Sequence, residues 1–86
     1  MSGPKYVHFD YSRASVSGMT SIWSVVAVAD GGFLGVVSWF GRWRCYAFSP
    51  RPDTVYERTC LRDIATFCES RTTEHRTAQR KAKVSA

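Results

Sequence analysis

Two histidines and three cysteines are the side chains in this sequence best suited to metal binding or nucleophilic chemistry, and their spacing supports neither. His8 and His75 lie far from Cys45, Cys60 and Cys68 along the chain, and no C-x-x-C pair or other ligand spacing joins them, so no metal site is expected. If Cys60 and Cys68 share a helix, eight residues separate them by about 12 Å at roughly 1.5 Å per residue, beyond the ~7 Å Cα separation that a disulfide spans. All three thiols read as small buried hydrophobes of a protein kept in a reducing compartment. His8 and Asp10 alternate onto one strand face and form an acid–base pair in principle, but no nucleophile accompanies them. The sequence contains no Walker loop, no H-E-x-x-H and no G-x-S-x-G. Gly31-Gly32 with Gly35 lacks the strand–loop–helix context of a dinucleotide-binding turn and reads as a hairpin instead. The expectation is a protein without catalytic residues, metal or cofactor, which works by binding.

Binding chemistry is concentrated in two places. Residues 38–50 carry five aromatics, Trp39, Phe40, Trp43, Tyr46 and Phe48, and two arginines, Arg42 and Arg44. Trp, Tyr and Arg are enriched where binding energy concentrates, because they bury much area at modest entropic cost. They also stack on bases and grip phosphates. The candidate partner-binding residues are therefore Trp39, Arg42, Trp43, Arg44 and Tyr46. The competing reading is that Trp39, Trp43 and Phe48 are simply the core of a small sheet; it weighs more for Trp39 and Phe48 than for Arg42, Trp43 and Arg44, which are expected to face solvent at the turn. The second place is the C-terminal segment, residues 71–86, where Arg71, Arg76, Arg80, Lys81 and Lys83 stand against Glu74 alone. Of the net charge of +5, that segment holds +4, and the rest of the chain holds +1. Such a tail attracts phosphate-rich or carboxylate-rich surfaces over about 8–10 Å in ordinary salt. These five residues are the candidates for contact with nucleic acid or an acidic surface.

The elements that must position these residues follow from periodicity. Residues 5–11 alternate, with Val7, Phe9 and Tyr11 on one side and Tyr6, His8 and Asp10 on the other, which predicts a short strand. Residues 12–21 hold four serines and Gly18 without periodicity and read as a flexible connection. Residues 22–29 are rich in Val and carry Trp23, Asp30-Gly31-Gly32 supplies a hairpin turn, and Phe33–Phe40 returns. A second turn at Gly41-Arg42 leads to a strand over 43–49, ended by Pro50 and Pro52. Residues 53–57 read as extended, in the manner of an edge strand. Thr59 is the expected N-cap of a helix whose apolar stripe is Cys60, Leu61, Ile64, Ala65, Phe67 and Cys68. Past Cys68 the stripe ends, and residues 77–86 read as a mobile basic tail.

The predicted fold is α+β, a meander of three to four antiparallel strands on one C-terminal helix. Residues 1–21 form an N-terminal strand and connection, 22–76 the sheet-plus-helix domain, and 77–86 the tail. At 86 residues, 44% of them apolar and 14% aromatic, the chain is one thin-cored globular domain. Alternation puts apolar residues on both faces of the sheet, and one helix covers only one of them. Residues 1–11 contain no uninterrupted apolar run of the kind a secretory leader carries, and the apolar stretch 22–29 is far short of the ~20 residues that cross a bilayer. The expected location is the cytoplasm, without membrane contact.

The run Leu34-Gly35, Trp39-Phe40-Gly41-Arg42-Trp43-Arg44, Tyr46-Ala47-Phe48, Pro50, Thr54-Val55-Tyr56 and Cys60-Leu61-Arg62-Asp63-Ile64-Ala65 with Phe67 resembles a pattern of small accessory proteins of bacteriophages and prophages. It covers about half of the chain. The hairpin-then-helix order is also similar in topology to the arm-type DNA-binding domains of phage integrases, although the sheet lacks the dense Lys/Arg cover of those domains. The resemblance by itself implies no activity. Joined to the near-neutral body, the two apolar sheet faces and the Trp/Arg hairpin, it leads to the expectation of a non-enzymatic accessory protein, acting in the host cytoplasm, that binds and blocks a host protein or nucleoprotein complex, for example a defence, CRISPR-type or transcription complex. The alternatives are a DNA- or RNA-binding protein that uses the basic tail and the Trp/Arg hairpin, and a homodimer that buries its second sheet face against itself.

Overall fold

β-Branched and aromatic residues dominate the first fifty positions, and Gly, Asp and Ser punctuate them, which is the composition of short strands joined by tight turns. A computed structural model describes residues 6–84 and the side chains of 6–80. Four strands, β1 (Val7–Ala14), β2 (Ser21–Ala27), β3 (Phe33–Phe40) and β4 (Cys45–Pro50), precede one helix, α1 (Arg58–Val84). The strands form one antiparallel meander in the order β1-β2-β3-β4. With α1 packed on it, this is an α+β fold of two layers.

The turns behave as their residues dictate. Gly31 takes a φ of 73°, and its amide donates to the Ala27 carbonyl while the Ala27 amide donates to the Gly32 carbonyl. The Asp30 carboxylate then accepts from the Gly32 amide at 2.9 Å. The Ser-rich connection, expected to be flexible, is a tied hairpin loop. The Ser15 amide donates to the Thr20 carbonyl, and the Thr20 hydroxyl donates to Ser15 Oγ at 2.8 Å. A bulge between Tyr11 and Arg13 shifts the β1–β2 register there. β1 therefore runs beyond the predicted strand, to Ala14, and belongs to the sheet; Lys5 lies outside the described residues.

One face of the sheet faces α1. Cross-strand pairing aligns Phe9 with Val25 and Tyr11 with Trp23, Trp23 with Val37, and Val37 with Phe48 and Trp39 with Tyr46. Val7, Val25 and Val37 are fully buried, and with Tyr46, Cys60 and Ile64 they form the core, against which Phe9, Trp23, Leu34, Trp39, Phe48, Tyr56, Phe67 and Cys68 pack. Phe9 stacks flat on Phe67 at 3.9 Å, which fastens the helix to the far edge strand. The other face alternates out. It carries the rows Asp10, Ser24, Val36, Ser49 and Ser38, Ala47, none of which joins the core cluster. The same face also carries Val26 opposite Phe33 and Phe40 opposite Cys45, with Phe33 and Phe40 45% and 40% exposed, so the expected second apolar face is present but interleaved with serines.

The helix departs from expectation at both ends. It begins at Arg58, and the residue before it caps it: the Glu57 carboxylate accepts from the Cys60 amide at 2.7 Å, in place of the expected Thr59. No strand forms over 53–57, where Asp53 turns the chain with a φ of 63°; the fourth strand is β1. Leu61 is 48% exposed and Ala65 is exposed, so both drop out of the buried stripe. The stripe itself continues past Cys68 through Arg71, Thr72 and His75. α1 reaches Val84, so residues 77–84 of the expected mobile tail are helical, and the rest of that tail lies outside the described residues. At 27 residues the helix is about 40 Å long, and the molecule's longest dimension is 46 Å.

Gly35 sits where β3 presses against the end of β4. A Cβ built there would lie 2.4 Å from the Ser49 carbonyl oxygen and 3.0 Å from Pro50 Cα, at a φ of 155°. Backbone atoms cannot swing aside as a side chain does. Gly35→Ala is expected to destabilise the fold by about 2–4 kcal/mol through overpacking and backbone strain, read as a lowered urea midpoint with an unchanged slope.

Candidate functional site

The turn from β3 to β4 spans residues 41–44. The Arg44 amide donates to the Phe40 carbonyl at 2.9 Å, and Arg44 itself takes a left-handed φ of 56°. Glycine or asparagine fits that conformation at least cost, yet an arginine occupies it. Its carbonyl accepts from Arg76 Nη2 of α1 at 2.9 Å, which joins the hairpin to the helix. Arg80 follows one turn later, at the i+4 spacing that places two helical side chains on one face.

Between hairpin and helix lies an open cleft of about 380 Å³ lined by Trp39, Arg44, His75, Arg76, Gln79 and Arg80. Its lining includes three guanidiniums and no carboxylate. Trp39 is braced edge-on against Tyr46 at 5.5 Å, and the His75 ring stands 4.5 Å from it at an interplanar angle of 49°. A tilted aromatic pair with guanidiniums around it is chemically suited to flat, anionic groups. The rings give a stacking surface, and the arginines give charge-assisted, often paired hydrogen bonds.

The cleft merges the two sets of candidate residues. Trp39 and Arg44 of the hairpin set meet Arg76 and Arg80 of the basic set. Tyr46 does not belong to it as a ligand group, because it is only 7% exposed: its hydroxyl accepts from the Ser21 amide at 3.1 Å, and its amide donates to Thr72 Oγ1 at 2.9 Å. Arg71 is also structural. It pairs with Glu74 and lies 5.4 Å from the Trp23 ring centroid and 5.5 Å from that of Phe67, with its Nε buried and unpartnered among the described residues. Arg42 is exposed at the turn. Trp43, 68% exposed, meets Phe40 edge-on at 4.8 Å outside the cleft. Lys81 and Lys83 continue α1, and their side chains lie outside the described residues. His75 and Gln79 were missed by the sequence reading. Their signal was the i, i+4 spacing of His75 with Gln79 and of Arg76 with Arg80, which carries meaning only once the helix is known to continue.

The other titratable groups offer less. His8 Nε2 and Asp10 Oδ2 lie 3.2 Å apart, both well exposed, on β1 and away from the cleft. All three cysteines are free. Burial, with Cys45 and Glu69 nearby, pushes the Cys68 thiol from 9.0 up to about 11, and burial raises that of Cys60 as well. Among the described residues no group of three or more His, Cys, Asp or Glu is placed to hold a metal ion, and no helix is long and apolar enough to cross a membrane. Comparison of the chain with family models, curated proteins and solved structures finds no match.

Thr72 supports the site from behind. It is buried, its hydroxyl donates to the Cys68 carbonyl at 2.8 Å, and it accepts from the Tyr46 amide. Thr72→Val keeps the shape and strands that amide, and a loss of about 1–3 kcal/mol is expected in chemical denaturation. Cys68 makes a pH prediction. Its folded-state pKa lies above the unfolded value, so between about pH 9 and 11 the unfolded chain binds fewer protons and stability falls as pH rises. The stability advantage of the native protein over Cys68→Ala should therefore shrink from pH 8 to pH 11 in parallel urea titrations.

Proposed function

We propose that this is a non-catalytic nucleic-acid-binding protein that grips its ligand in the cleft between the β3–β4 hairpin and the C-terminal half of α1. The observation that carries this reading is the convergence of Arg44, Arg76 and Arg80 on Trp39 and His75 in one carboxylate-free cleft. Arginine forks match phosphate geometry, and aromatic rings accept the π-face of any base. The left-handed Arg44 adds support: turn geometry alone favours glycine there, so the guanidinium serves something other than the turn.

A second reading draws on Phe40 and Trp43, 40% and 68% exposed at the hairpin tip. An exposed aromatic pair beside arginines suits a protein partner. It fits an accessory protein of the phage type that blocks a host complex, a nucleoprotein target engaging both the tip and the cleft. The homodimer reading has less support, since serines interrupt the open sheet face that it needs.

Arg44→Gly separates function from folding, because glycine relieves the left-handed residue while deleting the side chain. It should fold at least as stably as the native protein and bind labelled DNA and RNA oligonucleotides more weakly. Arg76→Ala combined with Arg80→Ala should cost at least tenfold at 50 mM salt. It should also flatten the log–log salt dependence by about 0.7–0.9 for each phosphate contact removed. Absence of any salt-dependent binding to DNA or RNA in fluorescence anisotropy at 50 mM salt would sink this reading. Trp43→Ala should leave nucleic-acid affinity intact.

A further inference from the structure

The shape of the cleft, and not only its charge, restricts the form of nucleic acid that enters it, and this step rests on the nucleic-acid reading above. A duplex offers a binding surface its phosphates and the edges of its bases, while the base faces stay stacked inside. A recessed aromatic ring can meet a base face only when that base is unpaired. Trp39 and His75 are such rings. Neither stands on a convex surface, both line the cleft, and their planes open at 49°, so they form a wedge and not a closed stack. The volume of about 380 Å³ lies near the lower end of the ~300–1,000 Å³ typical of pockets that enclose a small molecule. That is room for a nucleotide-sized group, not for a duplex.

The charges are arranged in the same sense. Arg44 stands on the hairpin wall, and Arg76 and Arg80 stand on the helix wall, two residues at i and i+4 and so about 6 Å apart along the axis. A strand threaded between the walls finds cations on both sides. A duplex ridge lying across the mouth would meet cations on one rim at a time. Arg76 is already held by the Arg44 carbonyl, which spends one of its five N–H donors and orients the rest with little further entropy to lose. Gln79 supplies an uncharged amide with both donor and acceptor, the combination that reads a base edge without selecting for charge.

We infer that the ligand is a single strand: one unpaired base stacks on the Trp39–His75 pair, and the flanking phosphates engage Arg44 on one wall and Arg76 and Arg80 on the other.

The test uses the full chain and a fluorescently labelled twelve-nucleotide oligonucleotide of mixed sequence, alone and annealed to its complement, in anisotropy titrations at 50 mM salt. The single strand is expected to bind at least tenfold more tightly than the duplex. In Trp39→Leu the ratio of single-strand to duplex affinity should fall about 5- to 100-fold, the range that loss of one base–aromatic stack produces. Because Trp39 also braces Tyr46, His75→Ala serves as a second variant, with folding of both checked by urea denaturation, and it should lower the same ratio. Equal or tighter duplex binding overturns the single-strand inference and leaves the nucleic-acid reading standing. So does an unchanged ratio in folded Trp39→Leu and His75→Ala. Failure to bind either form overturns the reading beneath it. Binding of polyglutamate as tight as that of the single strand also overturns the inference, since the cleft would then be recognising charge alone.

Discussion

A single hydroxyl holds the two layers in register. Thr72 donates to the Cys68 carbonyl within the helix and accepts from the Tyr46 amide of the sheet. Tyr46 lies on β4, an edge strand, whose outward amides are a liability unless covered. The threonine answers that edge from the helix and does so in a buried setting, where an unmade hydrogen bond is costly. Everything at the cleft is indexed from this joint. Trp39 is the cross-strand partner of Tyr46, Arg44 precedes Tyr46 by two residues, and His75 and Arg76 follow Thr72 by three and four. A helix rotated or slid by one residue would separate the guanidiniums from the rings.

The helix is longer than the sheet can use, and that excess forms the second wall. Apolar burial ends at Phe67 and Cys68. From there α1 is held by chemistry that a hydrophobicity pattern does not register: Arg71 over two aromatic rings, Thr72 on a backbone amide, His75 against Trp39 and Arg76 on the Arg44 carbonyl. Each contact is weaker than burying a leucine, but together they carry the helix two further turns along the sheet and bring Gln79 and Arg80 over the hairpin. Their polar character leaves functional groups at the surface where a continuous apolar stripe would have removed them.

How far the sequence could be read follows from the same distinction. The meander was legible because its signals are local: alternating apolar residues, and turn residues at Asp30-Gly31-Gly32. The turn expected at Gly41-Arg42 spans 41–44 instead, so β4 starts at Cys45 and not at Trp43, because Arg44 takes the left-handed conformation that Gly41 does not. The helix was legible to Cys68 for the same reason. Its extension was not, since Thr72 is buried and His75 half-buried only because Tyr46 and Trp39 lie opposite them, a long-range fact. Leu61 was assigned to the core because it is apolar, yet it sits on the exposed side of a helix whose rotation is set by Ile64 and Thr72. Glu57 takes the cap in place of Thr59 because the helix begins at Arg58: the Leu61 amide donates to the Glu57 carbonyl and the Cys60 amide to its carboxylate. For the site, residue types named Trp39, Arg44, Arg76 and Arg80 as candidates, but as two separate groups. Tyr46 and Arg71 were named on the same grounds, and packing claimed both.

Arginine at position 44 is the residue of the cleft that the fold explains least. A left-handed residue that closes a hairpin turn costs on the order of 1 kcal/mol when it is not glycine, and a small domain has little stability to spare. That cost returns nothing to the fold through the side chain, which is exposed. The Arg44 backbone, by contrast, is in use: its carbonyl orients Arg76. One residue thus contributes a guanidinium to one wall of the cleft and anchors a guanidinium on the other. Held in this way, Arg76 loses less freedom when an anion arrives than a free surface side chain would. The guanidinium on the hairpin wall depends on the choice of arginine at position 44, whereas the carbonyl that orders Arg76 belongs to the backbone and any residue there would supply it.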